Sequence, residues 1–195
     1  LFADALRDPD GPMPLSRAVA AGRTAPPGLA FVTPPEWERA DPALHEALAD
    51  FRHRLGAVVV DVALADIFNA VVYQRGVMNT AEMGHHFRRY LAADRDLLGP
   101  PTRATIEEGQ TLSADAYIKT VMLQQALPAA LAPIFDTCDA ILCPAALGPA
   151  PVGLASTGDS VFNGLWTMAG TPAITLPLLT APNGLPMGVQ LVGQV

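Results

Sequence analysis

The amino-acid sequence is expected to fold as an α/β protein, a mixed β-sheet covered by helices. Three observations predict it. A strand–helix–strand succession occupies residues 29–64, and such a unit requires parallel strands joined by a right-handed crossover. A long, mostly helical stretch follows, over 65–137. The chain then returns to short apolar runs, the last two of which flank Asn183-Gly184, a strong signal for a tight reversal between antiparallel strands.

The opening Leu1-Phe2-Ala3-Asp4-Ala5-Leu6 has apolar residues at helical spacing but no capping residue before it, so it reads as a helix cut in its middle. Residues 7–28 are rich in Pro, Gly, Ala and Arg and read as a linker. Leu29-Ala30-Phe31-Val32 fits a buried strand ended by Thr33-Pro34-Pro35. Asp41 then offers an N-cap and Pro42 suits the first helical position. Leu44, Leu48, Phe51 and Leu55 share one face, and Gly56 suits the stop. Ala57-Val58-Val59-Val60-Asp61-Val62 is continuous and β-branched, the pattern of a strand covered on both faces.

Residues 65–91 are expected to be mostly helical, with Ile67, Val71, Val72 and Met78 inside and Arg88 and Arg89 outside. Residues 92–112 read as polar and broken by Gly99-Pro100-Pro101. Ser113 is an N-cap for a helix carrying Tyr117 and Val121 on one stripe. Pro128 and Pro133 are expected to kink or end that helix, although Leu127, Leu131 and Ile134 keep a helical period. Residues 139–195 supply closing strands and pocket loops. Ala140-Ile141-Leu142-Cys143 is a strand closed by Pro144, and 144–160 is a Pro-, Gly- and Ala-rich loop. Phe162 to Ala169 forms a short helix with Gly170 after it. Ala173-Ile174-Thr175-Leu176 and Met187 to Val192 pair as strands. Both ends read as cut, so the chain is expected to be a piece of a longer polypeptide.

Half of the residues are hydrophobic and 16% are charged, a globular composition. The net charge is −7 and Lys119 is the only lysine, which disfavours nucleic acid and anionic lipid as partners. No apolar run reaches the length of a membrane span and no basic-then-apolar leader opens the chain, so the expected compartment is the cytoplasm. Cys138 and Cys143 match no zinc or redox spacing and are expected to be buried free thiols. His45, His53, His85 and His86 form no metal-ligand pattern, and His85-His86 reads as a helix-surface pair. No Gly-rich phosphate loop follows either early strand, which argues against a nucleotide-binding domain.

Three stretches carry a family resemblance. They are Gly109-Gln110-Thr111-Leu112-Ser113-Ala114-Asp115-Ala116-Tyr117, then Phe135-Asp136-Thr137-Cys138-Asp139-Ala140-Ile141-Leu142-Cys143-Pro144, then Trp166-Thr167-Met168-Ala169-Gly170-Thr171-Pro172-Ala173-Ile174-Thr175-Leu176-Pro177 with Gly184 to Gly193 after it. In this order and spacing they resemble the C-terminal half of the amidase signature family. The resemblance implies one α/β domain on a large twisted mixed sheet. It also implies amide hydrolysis without a cofactor, through a Ser nucleophile, a second Ser in a cis peptide and a Lys base.

The four serines here, Ser16, Ser113, Ser156 and Ser160, are not adjacent to one another, no two glycines are adjacent, and Lys119 lies at the wrong end of the family order. The catalytic residues are therefore expected upstream of Leu1, with that catalytic half as a partner, a small-molecule amide as substrate and a second copy of the chain as a further candidate partner. The isolated chain is expected to be inactive. The substrate-pocket candidates are Pro144 and Ala145 at the end of a strand, and Phe162, Trp166, Thr167, Met168 and Gly170 on the short helix. Thr167 stands where many relatives have Asn, and Phe162, Trp166 and Met168 read equally well as plain core. Ile106-Glu107-Glu108-Gly109 stands where the family's transamidosome member has Arg before the Gly, which disfavours a tRNA-linked reading. A binding or assembly module on the same scaffold is the alternative to an enzyme fragment.

Overall fold

Residues 27–194 are described by a computed structural model of the chain; the expected first helix and most of the linker lie outside that range. Five strands form one sheet in the order β2-β1-β3-β5-β4. The strands are β1 (Leu29–Phe31), β2 (Val59–Asp61), β3 (Ala140–Pro144), β4 (Ala173–Thr180) and β5 (Pro186–Val192). The first three are mutually parallel, and β5 runs antiparallel to both β3 and β4. The sheet is therefore mixed, as expected.

Helix α1 (Pro42–Leu55) provides the crossover from β1 to β2. Its N-cap works as the sequence suggests: the Asp41 carboxylate accepts from the Ala43 amide at 2.8 Å, satisfying an amide the first turn leaves unpaired. Leu44 and Leu48 are fully buried beneath it. Gly56 closes the helix at φ 59, a backbone state that only glycine adopts without strain. Strand β2 is shorter than the β-branched run and is an edge strand, with Val60 50% exposed. Two-sided burial is not what the described residues show there: residues 56–58 turn as a short 3-10 helix, and among the described residues β2 pairs on one side only.

A 3-10 turn, Asp66–Ala70, leads into α2 (Val71–His86), and α3 (Arg88–Asp94) follows. Gly99-Pro100-Pro101 starts a helix rather than breaking the chain: α4 spans Pro100–Gly109 with proline at its first positions, where no amide hydrogen is needed. Gly84 and Gly109 let α2 and α4 touch. A methyl at Gly109 would sit 2.0 Å from the Thr80 carbonyl oxygen.

Helix α5 (Ala114–Phe135) is capped by Ser113, whose hydroxyl accepts from the Ala116 amide at 3.1 Å. It runs through Pro128 and Pro133, so of the two expected outcomes, a kink or an end, the end does not occur. Both prolines lie on its exposed side. Leu127, Leu131 and Ile134 face the sheet on the opposite side. Single apolar runs are short, yet this helix as a whole has the length and hydropathy of a membrane span. Its inward stripe instead packs into the core with Ala30, Val32 and Ile141.

Helix α6 (Val161–Ala169) precedes the β4–β5 hairpin, and Gly170 ends it at φ 71. In the hairpin the Asn183 side chain accepts from the Leu185 amide at 3.1 Å and Gly184 takes φ 84. The β4 register slips between Leu176 and Leu179, at Pro177, a residue with no amide hydrogen for the ladder.

Candidate functional site

Ligands of open α/β sheets lie beyond the carboxyl ends of parallel strands. Here those ends belong to β1, β2 and β3, and their loops are stitched together. The Asp41 amide donates to the Leu147 carbonyl at 2.7 Å, joining the segment after β1 to the loop after β3. The Arg39 guanidinium bonds the Asp159 carboxylate, closing the far end of that loop. Asp159 therefore acts as a tether. Its hydrogen bond and charge raise the Arg39 pKa, the hydrogen bond contributing most. At the opposite, amino end of the strands, Asp139 accepts from the Gly28 amide at 2.8 Å and fixes the start of β1 against β3.

Two hollows open at the carboxyl end of the parallel strands. One, of about 550 Å³, is lined by Phe31, Thr33, Asp61, Leu64, Asp66 and Asn69, among others. Asp61 also bonds Arg52 across from α1. The other, of about 660 Å³, lies within the loop from Ala146 to Ser160. Asp61, Asp66 and Asn69 were not singled out in the sequence. The available signal was their place at or just past the end of β2.

The seven pocket candidates separate into three groups. Pro144 and Ala145 end β3 and are buried, with the Ala145 amide donating to the Gly188 carbonyl at 3.1 Å. Phe162, Trp166 and Met168 fill the core. Phe162 packs with Leu142, Met187 and Val189, while Trp166 and Met168 pack with Ile141 and Cys143. Thr167 and Gly170 are exposed, on the same side of α6 as Asn163, and the Thr167 hydroxyl donates to the Asn163 carbonyl at 3.2 Å. That polar edge is the part of α6 a ligand can reach.

Burial pushes the Cys143 thiol up to about 12, an effect the Trp166 indole N–H partly offsets. The indole approaches the sulfur without a bond of ordinary length, so its N–H is buried and unsatisfied. Cys143 in turn donates weakly to Gln190 Oε1 at 3.9 Å. Both cysteines are buried and free, as the sequence suggests. A protonated, buried thiol is no nucleophile.

Hydrolytic groups do not converge. Lys119 is on the exposed side of α5 and pairs with Asp115 at 2.8 Å, which raises its pKa chiefly through that hydrogen bond. Ser113 caps α5, and Ser156 accepts from the Gly158 amide at 3.1 Å. Among the described residues no serine hydroxyl bonds a lysine or histidine, and no group of His, Cys, Asp and Glu could hold a metal. His85 and His86 are exposed at the end of α2, beside a groove of about 490 Å³. There the Tyr117 hydroxyl donates to Glu82 at 3.3 Å. Burial first, and the Glu82 charge second, raise the Tyr117 pKa.

A mixed sheet flanked by helices, with loops gathered at the carboxyl ends of its parallel strands, defines an α/β enzyme scaffold. The chain belongs to the amidase family, whose model, described as Amidase, matches residues 9–195. It is 25% identical over 174 residues to a 2-amino-5-chloromuconic acid deaminase from Comamonas testosteroni, covering 80% of this chain and 37% of that protein. It is 26% identical over 200 residues to a component of the mitochondrial glutamyl-tRNA(Gln) amidotransferase from Ornithorhynchus anatinus, covering 86% of this chain and 37% of that protein. Among solved structures, a protein complex bearing on the origins of an s-triazine catabolic enzyme superimposes with a TM-score of 0.81 at 18% identity. That match covers 98% of this chain and 46% of the other. The chain thus spans less than half the length of these relatives.

Proposed function

We propose that this chain is the C-terminal wall of an amidase that hydrolyses a carboxylic amide to an acid and an amine or ammonia, with the hydrolysing residues carried by polypeptide that precedes Leu1. A serine hydroxyl is a weak nucleophile near neutral pH and needs a base within bonding reach. The observation that carries the reading is that a match over nearly the whole chain to this family comes without any such pair among the described residues. The relatives' names support the reaction class: one is a deaminase and another a component of an amidotransferase.

In this reading Pro144 and Ala145 form the floor of the acyl pocket, and Thr167 and Gly170 its edge. Phe162, Trp166 and Met168 hold α6 in place from behind. A small or medium amide is the expected substrate. The acidic charge of the chain supports a small molecule over a nucleic acid. The test is an amide panel assayed twice, with this chain alone and with the polypeptide extended through the preceding coding sequence. Ammonia or amine release only by the extended protein supports the reading. Serine-dependent turnover by the isolated chain overturns it, and so does an inactive extended protein that binds small ligands, which would establish a binding module.

A further inference from the structure

Three arginines among the described residues are partly buried: Arg52, Arg75 and Arg103. Arg52 bonds Asp61, and Arg103 donates through Nη2 to the Leu98 carbonyl at 3.4 Å while its Nε is buried without a partner. Arg75, on α2, makes neither a hydrogen bond nor an ion pair among those residues. Partial desolvation of a guanidinium without an acceptor is unfavourable. None of the acidic side chains among the described residues is placed on this one.

The seat of Arg75 is specific. Its side chain lies across α6 at Gly164, where an added Cβ would come within 2.2 Å of Nε and 2.6 Å of Cζ. Glycine is otherwise a poor choice inside a helix. At this position it leaves the room the guanidinium occupies. Asn163 and Thr167, on the turns flanking Gly164, form the exposed polar edge of α6 already described. Neither α6 nor the positions one turn away on α2 (Val71, Val72, Met78, Asn79) add a second cation. A lone guanidinium with a planar fork of donors fits one carboxylate, whereas a phosphate dianion calls for more positive charge.

We propose that Arg75, seated over Gly164, recognises a carboxylate on the substrate, so that the preferred amide carries a free acid group besides the bond that is cut. This rests on the amidase reading above and sharpens it to a substrate class. The competing acceptor is an Asp or Glu of the preceding polypeptide, and the test separates the two.

The full-length enzyme is assayed on succinamate and on its neutral isostere succinamide, as wild type and as Arg75→Gln, Arg75→Lys and Gly164→Ala. Gly164→Ala keeps the charge but displaces it, since the three nearest atoms the added methyl would meet all belong to the Arg75 side chain and none to backbone. Wild type is expected to favour succinamate by about tenfold to a hundredfold in kcat/KM. Arg75→Gln and Gly164→Ala erase that ratio while succinamide turnover stays within about twofold, and Arg75→Lys retains part of it. Equal losses on both substrates, or an unchanged ratio with a lowered Tm, overturn the proposal; the second result assigns Arg75 to a carboxylate of the preceding polypeptide. If wild type cleaves no amide, the amidase reading fails separately. Calorimetric binding of succinate then decides for Arg75: binding lost in both variants supports the proposal, and no binding by wild type overturns it.

Discussion

Strands β3 and β4 are both apolar, yet they live in opposite surroundings. In β3, Ile141, Leu142 and Cys143 are buried between α5 and α6 on one side and the cluster around Leu44 and Met187 on the other. In β4, Ile174 is 58% and Leu178 50% exposed, and only Leu179 is buried. The strand is also an edge, so among the described residues one row of its backbone groups lacks a strand partner. An eight-residue apolar edge strand left open is a template for pairing. The difference teaches where the described part of the protein is finished and where it is not: the parallel side carries its own core, and the β4 side calls for a cover.

The sharpest way to break this comparison is a pair of identical changes. Ile141→Asp puts an unpaired charge into a site with no exposure and is expected to cost more than about 4 kcal/mol, abolishing cooperative urea unfolding of the chain. Ile174→Asp is expected to change the stability of the isolated chain by less than about 0.5 kcal/mol. In the extended protein it should cost several times that. Equal effects of Ile174→Asp in both lengths would show that β4 needs no cover.

Core positions of α6 come next. Phe162→Ala removes a ring packed on β3 and β5 and should cost about 3–5 kcal/mol by the same measurement. A change under about 1 kcal/mol, on the order of a surface substitution, would mean that α6 is held loosely.

The thiol of β3 adds a pH signature. The folded state holds Cys143 protonated up to about 12, against an ordinary value of 9.0. Its contribution is therefore complete below the ordinary value and is lost as pH rises from there through the folded one. Over that window the wild type should lose roughly 1.4 kcal/mol per pH unit relative to Cys143→Ala. Parallel pH profiles for the two proteins would contradict the burial of β3. The smallest effect expected is that of the cap: Asp41→Ala should lower stability by about 1 kcal/mol, read as a shift in the urea midpoint at constant slope.

Much of the fold was legible in short stretches. Asp41-Pro42 starts α1 and Gly56 stops it, Ser113 starts α5, and Asn183-Gly184 turns β4 into β5, because each acts on atoms within a few residues of itself. Pro100-Pro101 was misread as a break, and Pro128 does not end its helix. Proline at the first positions of a helix disrupts nothing, because no amide is required there, whereas inside the helix it removes a donor and crowds the preceding turn, and packing decides whether the helix continues. The candidate site was legible in part. Pro144 and Ala145 do end a parallel strand, and Thr167 does reach the surface. Phe162, Trp166 and Met168 could not be sorted between core and pocket from spacing alone, since an apolar helix face suits either.

By itself the amino-acid sequence determined most element types and their order, α4 excepted, with the parallel β1–α1–β2 unit and the closing hairpin. Those follow from local backbone chemistry and from the period of the apolar residues. Only the tertiary structure decided that β2 and β4 are edges, that Gly164 and Arg75 share one space, and that Asp159 serves as a tether for Arg39. Burial and pairing depend on residues more than a hundred positions apart in the chain, such as Arg39 and Asp159, and no local pattern encodes which of them will meet.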